Sequence, residues 1–224
     1  MSSPAEDAAP TRLVMIRHGE SRVTVDRVIG GPRTCSGLSE LGRQQVERLR
    51  DRLAETGELQ ATVLYASSYA RAIETAEIIA PVLGVSVLEE PGFGEHDPGE
   101  ECDGLAFSEF LERYGMPDWE SDPHAITFPG GETVAEFHHR VGATVSRVVH
   151  EHRGGAIVVA CHGGVIDAAF RALLRLPAHG AFELQTSNTS LTEFVTTRRD
   201  RWRLVRYNDA AHIVGLPLQT PRSA

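Results

Sequence analysis

The sequence predicts a three-layer α/β sandwich: a mostly parallel central sheet flanked by helices, with an antiparallel C-terminal hairpin strand. Three observations carry this. Short apolar runs alternate along the chain with amphipathic segments of helical period. Three of those runs end in Gly- or Ser-containing turns that bear Arg or His. The last two β-rich runs are separated by only three polar residues, as in a hairpin.

The first strand is Leu13-Val14-Met15-Ile16, which opens into Arg17-His18-Gly19-Glu20. After a Gly30-Gly31-Pro32 turn, Leu41, Val46, Leu49 and Leu53 recur at helical spacing between Ser39 and Gly57, predicting a capped helix over 39–55. A strand over 62–66 runs into Ser67-Ser68 and a helix over 69–83, whose buried stripe is Ala72, Ile73, Ala76, Ile79 and Ala80. A short strand over 85–88 then leads to the run from Gly92 to Gly99, a surface loop that holds Glu95, His96 and Asp97 and is too rich in Gly and Pro for regular structure. Residues 103–128 are irregular and read as a lid or excursion over one edge. Helical period returns over 132–152 through Val134, Phe137, Val141, Val145 and Val148. A strand over 156–160 enters Cys161-His162-Gly163-Gly164 and a helix over 163–176. Runs over 190–197 and 201–207 form the closing hairpin.

At 224 residues the chain suits one domain, expected over 11–213 with tails at 1–10 and 214–224. Hydrophobic residues make up 41% and charged residues 24%, the balance of a globular protein. No apolar run approaches the ~20 residues that cross a bilayer, and the opening segment lacks the basic and apolar blocks of a signal peptide. A cytoplasmic location and no membrane partner are expected. Net charge is −9 and every one of the 22 basic residues is Arg. An acidic chain without a basic stripe argues against nucleic acid, and the lack of Lys removes Schiff-base and P-loop mechanisms. Cys35, Cys102 and Cys161 have no C-x-x-C spacing and read as free thiols. Adjacent His138 and His139 point about 100° apart on a helix and cannot easily grip one ion. No metal and no cofactor are expected.

Crossover connections gather the carboxyl ends of parallel strands on one rim, so Arg17, His18, Arg71 and His162 can converge. Guanidinium forks and helix-starting glycines, Gly163 among them, match a tetrahedral oxyanion, and phosphate is the natural occupant. A neutral imidazole nitrogen of His18 can attack phosphorus, with Gly19 leaving space for approach. Glu95 is the first candidate for proton donor and base, with Asp97 as fallback and Glu90, Glu100, Glu101 and Asp103 also available.

These residues resemble a known family. Arg17-His18-Gly19-Glu20-Ser21 is similar to the signature of the histidine phosphatase superfamily, which includes cofactor-dependent phosphoglycerate mutases. The blocks from Leu38 to Gln45, Ala66-Ser67-Ser68 with Arg71 and Thr75-Ala76, Pro129 to Thr133, Cys161 to Ile166, Asn188 to Leu191 and Asn208-Asp209 extend the likeness over about 11–213. The resemblance implies that His18 is phosphorylated, that Arg17, Arg71 and His162 form the phosphate pocket, and that Glu95 is the proton donor, because Glu95-x-Asp97-x-Gly99 followed by Asp103-Gly104 looks like the family's acid loop. It implies chemistry without a metal. One departure is Thr24, where the family often has Asn; Thr24 and Arg22 remain candidates for substrate binding.

The expected function is hydrolysis of a small phosphomonoester, with a small phosphorylated metabolite as partner. A phosphoglycerate mutase is the alternative, and a non-catalytic phospho-ligand module the second. A mutase must hold a bisphosphate, whereas residues 103–128 offer Arg113 against Glu109, Glu112, Asp118, Glu120 and Asp122. Arg22, Arg27 and Arg33 keep a second anionic group open. The exposed hairpin edge leaves a homodimer open.

Overall fold

The computed structural model describes residues 9–119, 122–178, 182–198 and 201–217. Six strands form one sheet: β1 (Arg12–Arg17), β2 (Val63–Ala66), β3 (Val87–Glu89), β4 (Ala156–Cys161), β5 (Leu191–Arg198) and β6 (Arg201–Asp209). Their order is β3-β2-β4-β1-β5-β6. β1 to β4 are mutually parallel, β5 runs antiparallel to β1, and β6 runs antiparallel to β5. This is the predicted mostly parallel sheet with an antiparallel end.

The helices are α1 (Arg22–Val25), α2 (Glu40–Thr56), α3 (Ala70–Leu83), α4 (Gly99–Cys102), α5 (Phe107–Tyr114), α6 (Val134–Glu151) and α7 (Gly163–Leu174). Alternation along β1 serves two cores. Leu13 and Met15 pack with Phe137, Val141, Val165 and Ile166 of α6 and α7. Val14 and Ile16 pack with Val46, Leu49 and Ile79 of α2 and α3. A strand buried on both faces reads as a continuous apolar run, which is why β1 and β4 are plain in the sequence.

Caps set the helix ends. The Ser39 hydroxyl accepts from the Gly42 N–H at the start of α2, and Gly57 closes it in the left-handed region at φ 59°. Thr133 and Glu136 form a reciprocal capping box on α6.

Four details differ from the sequence reading. β3 lies two residues later than expected at its start, where Val87 pairs with Leu64. α7 stops at Leu174 because Arg175 turns left-handed. The acid loop is bounded by a 3-10 turn at Pro91–Phe93 and by α4. The segment read as irregular contains α5, whose Phe110 packs on Cys102 and Phe128 in a third, smaller apolar cluster. Residues 1–8, 120–121 and 218–224, which fall in the predicted tails and lid, lie outside the described residues. Among the described residues no helix is long and apolar enough to cross a membrane.

Candidate active site

β1 and β4 are neighbours with Arg17 opposite Cys161, so the next residue on each strand, His18 and His162, meets its counterpart at the rim. Their ring centroids are 5.1 Å apart at 64°. α3 follows β2, the strand on the other side of β4, and presents Arg71 from its first turn. The Arg71 Nε–H donates to both rings, to His18 Nε2 at 3.1 Å and to His162 Nδ1 at 3.2 Å. The guanidinium also donates through Nη1 to the Gly30 carbonyl at 3.2 Å and lies 4.6 Å over the Tyr69 ring.

These contacts assign the tautomers. His18 Nδ1 faces the Gly19 carbonyl at 2.6 Å, and a carbonyl can only accept, so Nδ1 carries the proton and Nε2 keeps its lone pair. His162 accepts at Nδ1 and donates from Nε2 to Ser67 Oγ at 2.7 Å. Burial first, then the charge of Arg71, hold His162 well below the ordinary imidazole range, so this fully buried ring stays neutral.

The backbone of His18 is held on both sides. Its N–H donates to the Cys161 carbonyl at 2.9 Å, and its carbonyl accepts from Asn188 Nδ2 at 2.8 Å. The Gly19 N–H donates to Thr75 Oγ1 at 3.2 Å, whose hydroxyl donates to the Arg71 carbonyl at 2.7 Å. Buried Arg17 donates through Nη1 to the Thr186 carbonyl, and its own carbonyl accepts from the Thr189 N–H at 2.8 Å.

Glu95 arrives from the loop after β3. Its carboxyl group accepts the Gly164 N–H at 3.1 Å, in the first turn of α7. The buried first residue of α7, Gly163, separates this contact from His162. Arg140 of α6 fixes the loop, donating to the carbonyls of Gly92 at 3.1 Å, Gly94 at 3.0 Å and Glu95 at 3.3 Å while it pairs with Glu132. The Tyr69 hydroxyl donates to the same Glu95 carbonyl at 3.3 Å.

The structure therefore brings together Arg17, His18, Arg71, His162 and Glu95, with Gly163 between the last two. Thr24 pairs with the Ser21 hydroxyl at 2.9 Å instead of with any of these five, and Arg22 is exposed. Arg33 is engaged by Glu100 at 2.6 Å and by Asp103 at 3.6 Å, so it is not a spare cation for a second anion. Gln45, Ser67, Thr75, Arg140 and Asn188 were not singled out by residue chemistry. Ser67 and Asn188 stand at strand ends on the same rim, a signal that could have found them; the helical Arg140 carries none. Among the described residues no three His, Cys, Asp or Glu side chains are grouped as a metal ion requires.

The family model for the histidine phosphatase superfamily (branch 1) matches residues 13–210. Phosphoglycerate mutase-like protein 4 of Arabidopsis thaliana is 30% identical over 214 residues, covering 93% of this chain and 90% of the relative. Phosphoserine phosphatase 1 of Hydrogenobacter thermophilus is 28% identical over 205 residues, covering 90% and 94%. The solved structure of mycobacterial glucosyl-3-phosphoglycerate phosphatase with VO3 superposes with a TM-score of 0.75 at 28% identity, covering 88% of this chain and 98% of that one. With its signature at the end of β1 and a family match spanning nearly the whole sheet, this chain belongs to the histidine phosphatase superfamily.

Proposed function

We propose that the protein is a metal-independent phosphatase that hydrolyses a small phosphomonoester through a phosphohistidine on His18. The observation that carries this reading is the single Arg71 N–H shared by His18 Nε2 and His162 Nδ1. It marks one point on which two imidazoles and a guanidinium converge, with Glu95 anchored two residues beyond His162.

At that point Arg17, Arg71 and the N–H groups that begin α7 supply donors for the phosphoryl oxygens, while the neutral His162 ring walls the pocket and orients Arg71 through Nδ1. His18 Nε2 attacks phosphorus in line, forming the N–P bond as the ester P–O bond breaks. Glu95 gives its proton to the leaving oxygen. The resulting carboxylate then takes a proton from water, whose oxygen attacks the phosphohistidine, releasing inorganic phosphate and restoring His18 and the acid. The protein's own cations meet the phosphate charge throughout.

Hydrolysis is favoured over transfer because two of the four cations offered to a bisphosphate, Arg33 and Arg113, are already paired. Arg113 pairs with Glu109 in α5, and Arg33 is held by Glu100 and Asp103. Relatives named for phosphoserine and for glucosyl-3-phosphoglycerate make those esters the first to test.

The test is phosphate release in EDTA from p-nitrophenyl phosphate, phosphoserine, glucosyl-3-phosphoglycerate and 3-phosphoglycerate, by wild type and His18→Ala, with 2-phosphoglycerate followed in parallel. Release that survives EDTA and vanishes in the variant is expected. A need for added zinc or magnesium would overturn the mechanism, isomerisation without release would make the protein a mutase, and silence in both assays would favour a binding module.

A further inference from the structure

Helix α2 contains a fully buried glutamine, Gln45, whose side chain makes one contact and leaves another unmade. Its Oε1 accepts the Glu20 N–H at 2.9 Å, while its amide nitrogen is buried without a hydrogen-bond partner among the described residues. A buried amide with unmet donors is a standing cost to the fold, so the one bond that Gln45 does make calls for a reason.

The reason lies one peptide away from His18. The Glu20 N–H belongs to the same peptide plane as the Gly19 carbonyl, and that carbonyl is the acceptor for His18 Nδ1 at 2.6 Å. A planar peptide held at its N–H has its C=O aimed as well. α2 grips the other side of Glu20 too: the Ser39 N–H donates to the Glu20 carbonyl at 2.8 Å, and the Ser39 hydroxyl donates to its carboxylate at 2.8 Å. The helix can sit this close because residue 42 is glycine; a Cβ there would stand 2.0 Å from the Glu20 carbonyl oxygen. Gln45 is one turn further along the same face.

We infer that Gln45 is a positioning residue for the nucleophile, holding the Gly19–Glu20 peptide so that the Gly19 carbonyl keeps the proton of His18 on Nδ1 and turns Nε2 toward the phosphate. This rests on the reading of His18 as nucleophile. Without Gln45 the Glu20 N–H loses this acceptor, the Gly19–Glu20 peptide tilts, its carbonyl moves off Nδ1, and the ring samples the tautomer in which Nε2 carries the proton and cannot attack.

The experiment uses the full chain with Gln45→Met, close in volume and without polar atoms, and Gln45→Glu, which keeps an oxygen at the same reach. Three quantities are measured: the rate of 32P transfer from substrate to His18, the Kd for inorganic phosphate, and the His18 ring tautomer by long-range 1H–15N NMR. In Gln45→Met the transfer rate should fall about 10- to 100-fold, the range expected when a reacting group is misplaced by about 1 Å. Phosphate affinity should stay within about twofold, and the ring should shift from Nδ1–H to a mixture of tautomers. Gln45→Glu should retain the wild-type tautomer and most of the rate. Transfer at the wild-type rate in Gln45→Met, or a wild-type tautomer in that variant, would overturn the inference. If Gln45→Met does not fold, Gln45→Glu decides: an altered tautomer in a folded chain with an acceptor still in place overturns it as well. A wild type that hydrolyses esters without labelling His18 would defeat the phosphohistidine reading, whereas the tautomer measurement would still decide the role of Gln45.

Discussion

Gly164→Ala tests the placement of the acid with a single methyl group. Gly164 is the second residue of α7, and a Cβ built on it would stand 2.3 Å from Glu95 Oε1, 3.2 Å from its Cδ and 3.3 Å from the Phe137 ring. The backbone accepts alanine there, so the main conflict is with the carboxylate, and the Phe137 ring has to give by only a few tenths of an ångström. To reach ordinary contact the carboxylate has to retreat by about 1 Å, which for a reacting group corresponds to a loss of about 10²-fold in rate. Retreat also breaks the bond from the Gly164 N–H, worth roughly 1.5–3 kcal/mol for a charged acceptor. Alanine returns up to about 1 kcal/mol of helix propensity, so the net destabilisation should be small, about 1 kcal/mol, or roughly 2–4 °C in Tm for a chain of this size. The assay is kcat against a series of phosphomonoesters whose leaving groups differ in pKa. Alkyl esters, which need a proton to depart, should lose the full factor, while p-nitrophenyl phosphate should lose much less. A variant that hydrolyses alkyl and p-nitrophenyl esters in the wild-type ratio would refute the assignment of Glu95 as proton donor.

Two further outcomes are expected. Arg140→Ala leaves the carbonyls of Gly92, Gly94 and Glu95 and the Glu132 carboxylate without their shared partner, so it should cost roughly 1–3 kcal/mol in urea unfolding and lower kcat more than it changes KM; an unchanged kcat would show that the acid loop holds its shape alone. Burial first and the Arg52 guanidinium second push His212 down to about 4, and its ring contacts Thr189 Oγ1 at 2.8 Å. The folded chain therefore prefers the neutral ring, whose contribution is complete above the unfolded value of ~6.5 and is lost as pH falls from there toward 4. His212→Gln should flatten the acid decline of Tm in that window, and an unaltered slope would exclude His212 as its source.

The rim of the site was legible because buried parallel strands leave a plain mark. Apolar runs that end abruptly in Arg-His-Gly or His-Gly-Gly expose both the strand and the chemistry at its tip. Glu95 was less so: residue chemistry offered five competing acids, and only the resemblance chose among them. What residue chemistry could not disclose was the supporting layer, although Gln45, Ser67, Thr75 and Asn188 fall in the blocks that carry the resemblance. Gln45 and Arg140 lie within helices where glutamine and arginine are ordinary surface residues, and their roles exist only once α2 meets Glu20 and α6 meets the acid loop. α5 escaped for another reason: its eight residues are flanked by Gly, Pro and charge, too short a window for helical period to stand out.

The third apolar cluster lets one part of the fold open without the rest. Cys102, Phe110 and Phe128, with Ile29, Leu105, Phe107 and Leu111 around them, form a core separate from the two that clasp the sheet. The segment beside the acid loop thus packs on Ile29 and on itself, apart from the helices that cover the sheet. A part held in this way can open below the free energy of global unfolding, so amide hydrogen exchange should show less protection over α5 than over β1 and β4.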